Sequence, residues 1–388
     1  MFKLQDNLSN EKVTFESKEI TAYVCGPTVY DHPHIGNLRP IITYDIMFRI
    51  LNYQGIKVNF LHNITDIDDK IIEKAINENK SESEITNFYT DEYLKLLDTL
   101  NVVSISKVVK VSDSITGIQS FVSEMIEKDI AYEIDGNVFF DLEKSKDYGK
   151  LSNRTLSEKD FENEFTNLKR NPKDFVLWKN TDKGVQFDSP WGKGRPGWHT
   201  ECVHFIDDYF HGNTIDIHGG GIDLKFPHHE NEIAQFETLK EKPLSNVWSY
   251  VGHLTLDNIK MSKSLGNVFL AKDFITEYGP NVLRALMLST HYSKPMNVTQ
   301  DLIDMTIKEL NKWFNAIENA EVKEINEEKV STELVNEFIE TISNDFKLAN
   351  AKDFFNKISK KINNTENEEK IVLANTLLKI LSIIGIIK

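Results

Sequence analysis

Ile20 to Cys25 (Ile-Thr-Ala-Tyr-Val-Cys) reads as a strand. A loop with Gly and Pro follows it, and then a helical spacing of apolar residues from about Arg39 to Gly55. A strand-like run from Val58 to Leu61 and a helix opening near Thr65 extend this to a βαβα pattern. Such alternation predicts a parallel sheet, in which ligands bind beyond the carboxyl ends of the strands. Between about Ser112 and Pro190 the pattern gives way to a charged segment with short strands near Ala131 to Phe140, which reads as an insertion. The α/β alternation resumes from Gly197 to about Leu288. From Asp301 the period is helical: Leu302, Met305, Leu310, Trp313 and Ile317 trace one stripe, and Leu334, Phe338, Ile342 and Phe346 another. Phe354 to Ile362 and Ile371 to Ile387 complete a bundle of about four helices. The last of these runs is the one stretch with the apolar character of a membrane span. Asn375 and Lys379 interrupt it and it is slightly short, so a buried helix is expected.

A chain of 388 residues exceeds what one core ordinarily supports, so two or three domains are expected. With 40% hydrophobic and 27% charged residues the composition is globular rather than disordered or fibrous. The net charge of -15 argues against a bulk electrostatic grip on nucleic acid, which needs many phosphates neutralised. An RNA partner would have to be held by local basic patches. The stretch Lys169, Arg170, Lys173, Lys179, Lys183, Lys193 and Arg195 is one candidate, with a merely solvated surface as the alternative. The opening Met1 to Asp6 has no apolar core of signal-peptide length, and a cytoplasmic location is expected. Cys25 and Cys202 are the only cysteines, too few for a disulfide scaffold, and each must be core, ligand or nucleophile.

Three constellations carry chemistry. The loop Cys25-Gly-Pro-Thr-Val-Tyr-Asp-His-Pro-His-Ile-Gly-Asn37 lies between the first strand and the first helix. There, backbone N–H groups and a helix dipole face an anion, Gly36 permits close approach of a nucleotide, and His34 can donate to phosphate. Lys260-Met-Ser-Lys-Ser264 places Lys260 and Lys263 on a short loop suited to charge developing on a departing pyrophosphate. Cys25, Cys202, His228 and Glu232 form a possible zinc shell. Pro227 suits the first position of a helix, so that His228 and Glu232, four apart, share one face. Spacing alone leaves His229 as a rival imidazole.

A His-Ile-Gly-Asn loop early in an α/β fold and Lys-Met-Ser-Lys-Ser much later resemble the signatures of class I aminoacyl-tRNA synthetases. That family's first motif usually ends in a second histidine; here Asn37 stands in its place and can still donate and accept hydrogen bonds. Further segments resemble the cysteinyl-tRNA synthetases specifically. They are Asn63-Ile-Thr-Asp-Ile-Asp-Asp-Lys70, Gly194-Arg-Pro-Gly-Trp-His199 and the run from His218 to Glu232, and with the first loop they span roughly the first three hundred residues.

The resemblance implies a Rossmann-like parallel-sheet catalytic domain with an inserted α+β connective segment, followed by a C-terminal helical bundle. The implied division is 1–111 and 196–245 for the two catalytic halves, 112–195 for the insertion, 246–300 for a stem-contact region with the lysine motif, and 301–388 for a tRNA-binding bundle. It places one Zn²⁺ on Cys25, Cys202, His228 and Glu232, and ATP with Mg²⁺ at His34, Gly36, Asn37, Lys260 and Lys263. Thr65, Trp198 and His218 would line the amino-acid pocket. Read from its neighbours alone, Thr65 is instead a helix N-cap before an acidic first turn.

The expected reaction is ATP-dependent formation of cysteinyl adenylate and transfer to tRNA-Cys, with zinc selecting the substrate thiol over a serine hydroxyl. A monomer and a shortened C-terminal region are expected by family analogy, with no membrane partner. Two rivals remain: a cysteine:amino-sugar ligase of the mycothiol type, whose first loop departs from Gly-Pro-Thr-Val-Tyr, and a non-catalytic RNA-binding relative.

Overall fold

A computed structural model describes residues 2–153, 165–261 and 267–388. Five strands form a parallel sheet in the spatial order Ser245–Val251, Ile215–Gly221, Glu19–Val24, Lys57–Ile64 and Lys107–Lys110. The residues of the four strands other than Lys107–Lys110 are largely buried because both faces are covered, as parallel sheets require. The Ile35–Tyr53 helix and the C-terminal bundle pack on one face. Helices Ile115–Glu127, Trp198–Tyr209 and His228–Lys240 pack on the other. The first strand has the second and third on one side and the two late strands on the other. The loops therefore diverge between Glu19–Val24 and Ile215–Gly221, the switch point at which such sheets open a binding crevice.

The first helix begins at Ile35 rather than near Arg39. Pro40 suggests a helix start in its own neighbourhood, but His34 supplies the cap and Pro40 lies inside the helix. Thr65 is not the cap of the following helix, which runs from Asp69 to Glu78. Asp68 caps it, accepting from the Lys70 N–H at 2.8 Å. Thr65 instead continues the strand end, donating its N–H to Pro27 O at 3.0 Å and accepting from the Val29 N–H at 3.1 Å. Replacing Asp68 by alanine is therefore expected to cost about 1 kcal/mol, read as a lower urea midpoint. Thr65→Ala should leave the helix content by circular dichroism unchanged.

The segment after the third strand holds the Ile115–Glu127 helix and a five-stranded antiparallel sheet. Its order is Ala131–Ile134, Asn137–Phe140, Phe175–Asn180, Gly192–Pro196, Phe187–Ser189. Members of the basic stretch fasten this sheet. Arg195, 3% exposed, bonds Asp69, and Lys179 lies 3.3 Å from the same carboxylate. Arg170 covers the Tyr132 ring at 4.1 Å. Lys173, Lys183 and Lys193 remain exposed.

Leu254–Leu256 pairs antiparallel with Ile259–Lys260 and parallel with Met296–Val298, forming the small sheet that leads into the lysine motif. Four helices follow: Gln300–Glu318, Thr332–Ile342, Ala349–Asn363 and Asn367–Ile383. Leu310, Trp313 and Ile317 are buried as their spacing predicts, whereas Met305 is 47% exposed. Phe346 lies beyond the end of its helix and is buried with its ring centroid 5.9 Å from that of Phe2. The last helix is buried along most of its length, and its Lys379 pairs with Glu327 at 2.6 Å. Among the described residues no helix is long and apolar enough to cross a membrane.

A buried ion pair joins the Pro280–Leu286 helix to the Ile35–Tyr53 helix and, through Ile384 O, reaches the end of the bundle. Arg284 donates to Asp45 Oδ2 at 2.6 Å and to the carbonyls of Leu100 and Ile384, both at 2.8 Å. Asp45 also accepts from Arg49 Nε at 2.9 Å and from the Val103 and Ser104 N–H groups at 3.0 Å.

Candidate metal centre and active-site cleft

The carboxyl ends of the central strands open into a cleft of about 650 Å³, walled by the Cys25–Asn37 loop, Trp198, Gly221 and Val251–Leu254. Two neighbouring strand ends are fixed to each other here. Asn63 Oδ1 accepts from the Gly26 N–H and from the Tyr23 hydroxyl, both at 2.8 Å. A Cβ on Gly26 would lie 1.6 Å from Asn63 O, so only glycine lets the strands approach this closely.

At the inner end of the cleft, Cys25 leaves the first strand, buried Cys202 comes from the Trp198–Tyr209 helix, and His228 and Glu232 come from the first turns of the His228–Lys240 helix. Their ligand atoms all lie within 4.8 Å of one another. A second group within the same 4.8 Å bound, Cys25, His218, His229 and Glu232, shares two of these residues. Glu232 lies between the two groups. Its Oε1 is 2.9 Å from His228 Nε2, and its Oε2 is 2.6 Å from His218 Nε2. His228 stacks on Trp198 with centroids 4.3 Å apart, and its Nδ1 meets His199 Nδ1 at 3.0 Å. His229 Nε2 is 3.3 Å from Cys25 Sγ.

Protonation states follow from this crowding. Burial opposes a charged Glu232, but His218, His228 and His229 together hold its carboxyl well below the usual range. Burial also opposes a thiolate at Cys202; the hydrogen bond with Cys25 and the charge of His228 overcome it and bring that thiol down to about 6. Burial likewise disfavours the His228 cation, yet Glu232 and Cys202 raise it to about 10. Burial and then the neighbouring Cys202 push the Cys25 thiol well up. A site that concentrates two thiols, a carboxylate and imidazoles out of water has the donor chemistry of a cation site.

Trp198 is 41% exposed and lines the cleft, while Thr65 and His218 are buried behind its walls. Thr65 Oγ1 is 3.4 Å from Glu201 Oε2, whose carboxyl is pushed well up by burial and by Cys202.

In the loop that leads into the first helix, His34 and Asn37 form a reciprocal capping box. Asn37 N–H donates to His34 Nδ1 at 3.2 Å, and His34 N–H donates to Asn37 Oδ1 at 3.0 Å. Asn37 is thus the N3 partner of the His34 cap, at the amino end of a 19-residue helix that borders the cleft. The two motifs meet. Ile35 N–H donates to Phe269 O at 3.1 Å and Ala271 N–H to Pro33 O at 2.9 Å, so the chain just past the lysine motif is fastened to the first loop. A Cβ on Gly36 would come within 2.8 Å of Met261 Cε. Lys260 ends a strand at this junction, and Lys263 lies outside the described residues.

A family model described as the tRNA synthetase class I (C) catalytic domain matches residues 11–308. The cysteine-tRNA ligase of Mesoplasma florum is 47% identical over 351 residues, covering 89% of this chain and 78% of that protein. The chain belongs to the cysteine-tRNA ligase family of class I synthetases. The Mycoplasma mycoides ligase is 42% identical, with 99% of this chain and 90% of the relative covered. Among solved structures, methionyl-tRNA synthetase of Mycobacterium tuberculosis with methionyl-adenylate superposes with a TM-score of 0.65 at 15% identity, covering 95% of this chain and 90% of that one. A leucyl-tRNA synthetase ternary complex from Agrobacterium radiobacter K84 gives 0.65 at 12% identity, covering 96% and 84%. These two likenesses establish the class I fold, with its parallel sheet and helical C-terminal region.

Within this ligase fold several residues escape sequence reasoning. Arg39, 1% exposed, donates to the carbonyls of Gly252 at 2.6 Å, His253 at 2.8 Å and Lys294 at 2.8 Å, and so holds one wall of the cleft. Its only sequence signal is its place shortly after the Cys25–Asn37 loop. Tyr250 has none beyond its position near a strand end, and Asn63 has only its place at the head of the Asn63–Lys70 run.

Proposed function

We propose that the chain activates L-cysteine with ATP and transfers it to tRNA-Cys, and that Cys25, Cys202, His228 and Glu232 hold a zinc ion that selects the substrate thiol. The observation that carries this reading is the convergence of both cysteines with His228 and Glu232 at the switch point of a cysteine-tRNA ligase fold. Of the two compact donor groups, this one contains both thiols, and thiolates suit a soft cation better than a second imidazole does. When bound, zinc supplies a Lewis acid that takes a thiolate readily and a hydroxyl poorly near neutral pH.

The chain's own residues divide the remaining work. Trp198 walls the amino-acid side of the cleft and fixes the His228 ring by stacking, with Thr65 and His218 supporting the pocket from behind. His34, Gly36 and the amino end of the Ile35–Tyr53 helix receive the nucleotide phosphates, accompanied by Mg²⁺, and Lys260 and Lys263 offset charge on the leaving pyrophosphate. The cysteine carboxylate attacks the α-phosphorus, and the tRNA terminal ribose then takes the cysteinyl group. In this reading residues 1–111 and 196–245 form the catalytic unit, 112–195 an insertion, 246–300 a stem-contact region and 301–388 the tRNA-binding bundle of a cytoplasmic monomer.

The test is cysteine-dependent ATP–pyrophosphate exchange and charging of a tRNA-Cys transcript by zinc-loaded protein, with an amino-sugar acceptor alongside. Charging of the tRNA alone is expected. Exchange with transfer only to the amino-sugar would leave the activation chemistry and overturn the acceptor.

A further inference from the structure

The two adjacent histidines at the start of the His228–Lys240 helix are turned to different tasks. His228 faces Glu232, whereas His229 is fully buried and spans the gap between Cys25 and Tyr250. We propose that Tyr250 and His229 form an outer-shell relay that directs one N–H at the Cys25 sulfur and so holds that sulfur in position for the metal. This deepens the reading given above and rests on it.

Directionality follows from the hydrogen-bonding inventory. The Tyr250 hydroxyl lies 2.8 Å from His229 Nδ1. A phenol O–H donating there makes Nδ1 the acceptor and leaves the ring proton on Nε2, which lies 3.3 Å from Cys25 Sγ. That N–H is directed at a lone pair of the sulfur, which fixes the direction in which the Cys25 side chain points. The thiol proton is released to solvent when a cation binds.

The ring cannot easily turn away. Trp248 and His218 flank it at 5.3 and 4.5 Å between centroids, and a Cβ on Gly220 would come within 3.2 Å of its Cε1. Tyr250 is itself 1% exposed at the end of its strand. Glu232 receives the equivalent support from His218 at 2.6 Å. Cys25 and Glu232 thus each have a dedicated holder, as metal ligands commonly do.

Tyr250→Phe keeps the stacked ring and removes only the hydroxyl. Zn²⁺ and Co²⁺ affinities by chelator competition, and the thiolate-to-cobalt charge-transfer band of Co²⁺-loaded full chain, provide the readouts. Affinity is expected to fall about 10–100-fold, with a shifted band and an unchanged urea midpoint. His229→Gln, which keeps an N–H donor, should retain more affinity than His229→Leu. Unchanged affinity and band in Tyr250→Phe would overturn the relay. So would loss of metal in His229→Gln as complete as in Cys202→Ser, which would make His229 a ligand. If Cys202→Ser itself kept full affinity, the ligand assignment would fail, and the relay with it.

Discussion

Cys202→Ser is expected to weaken zinc binding at least about 100-fold and to remove most of the preference for cysteine over serine. Cys202 is 1% exposed, and a serine hydroxyl occupies slightly less space than the thiol, so the fold should survive. What changes is the donor: Cys25, His228 and Glu232 remain, but a buried hydroxyl does not give up its proton as a thiol does. Without the metal, discrimination between sulfur and oxygen should fall toward the roughly 10–200-fold that pocket packing provides. Metal content by atomic absorption, and the kcat/KM ratio for cysteine and serine in pyrophosphate exchange, check the two halves separately. Retention of both would contradict the assignment.

The second large effect is on stability. Asp45→Ala leaves the Arg284 guanidinium, 1% exposed, without its carboxylate, and strips acceptors from Arg49, Val103 and Ser104. Breaking a buried pair in this way costs about 3–5 kcal/mol, because the remaining charge stays desolvated. The loss should be read as a fall in unfolding free energy in urea, with Asp45→Asn intermediate. Because Arg284 also holds Ile384 O, the bundle should become susceptible to proteolysis at lower urea than the central sheet. A cost below about 1 kcal/mol would mean that the apolar packing around the pair, not the pair, joins these parts.

Much of this was legible in the residues. Apolar runs such as Ile20–Cys25 announce buried parallel strands, and the helical stripes through Trp313 and Phe338 announce the bundle. Helix starts were harder. His34 and Asp68 cap through side-chain geometry, whereas Thr65 offered a more familiar signal at the wrong place. Phe346 fits a helical period only on paper, because the helix has ended and the ring is buried from a turn. In the site, residue type and spacing pick out the possible ligands. They cannot separate His228 from His229, since adjacent helix positions differ by a turn of the ring toward partners far away in sequence. Asp45 with Arg284, and Tyr250 with His229, are likewise matched only by the folded sheet.

Sulfur counting at the metal by X-ray absorption, on zinc-loaded protein with and without cysteine, tests the central claim most directly. Two protein sulfurs are expected, rising to three with cysteine and unchanged with serine. A single protein sulfur, as the Cys25, His218, His229 and Glu232 group would give, or no added sulfur with cysteine, would contradict the account.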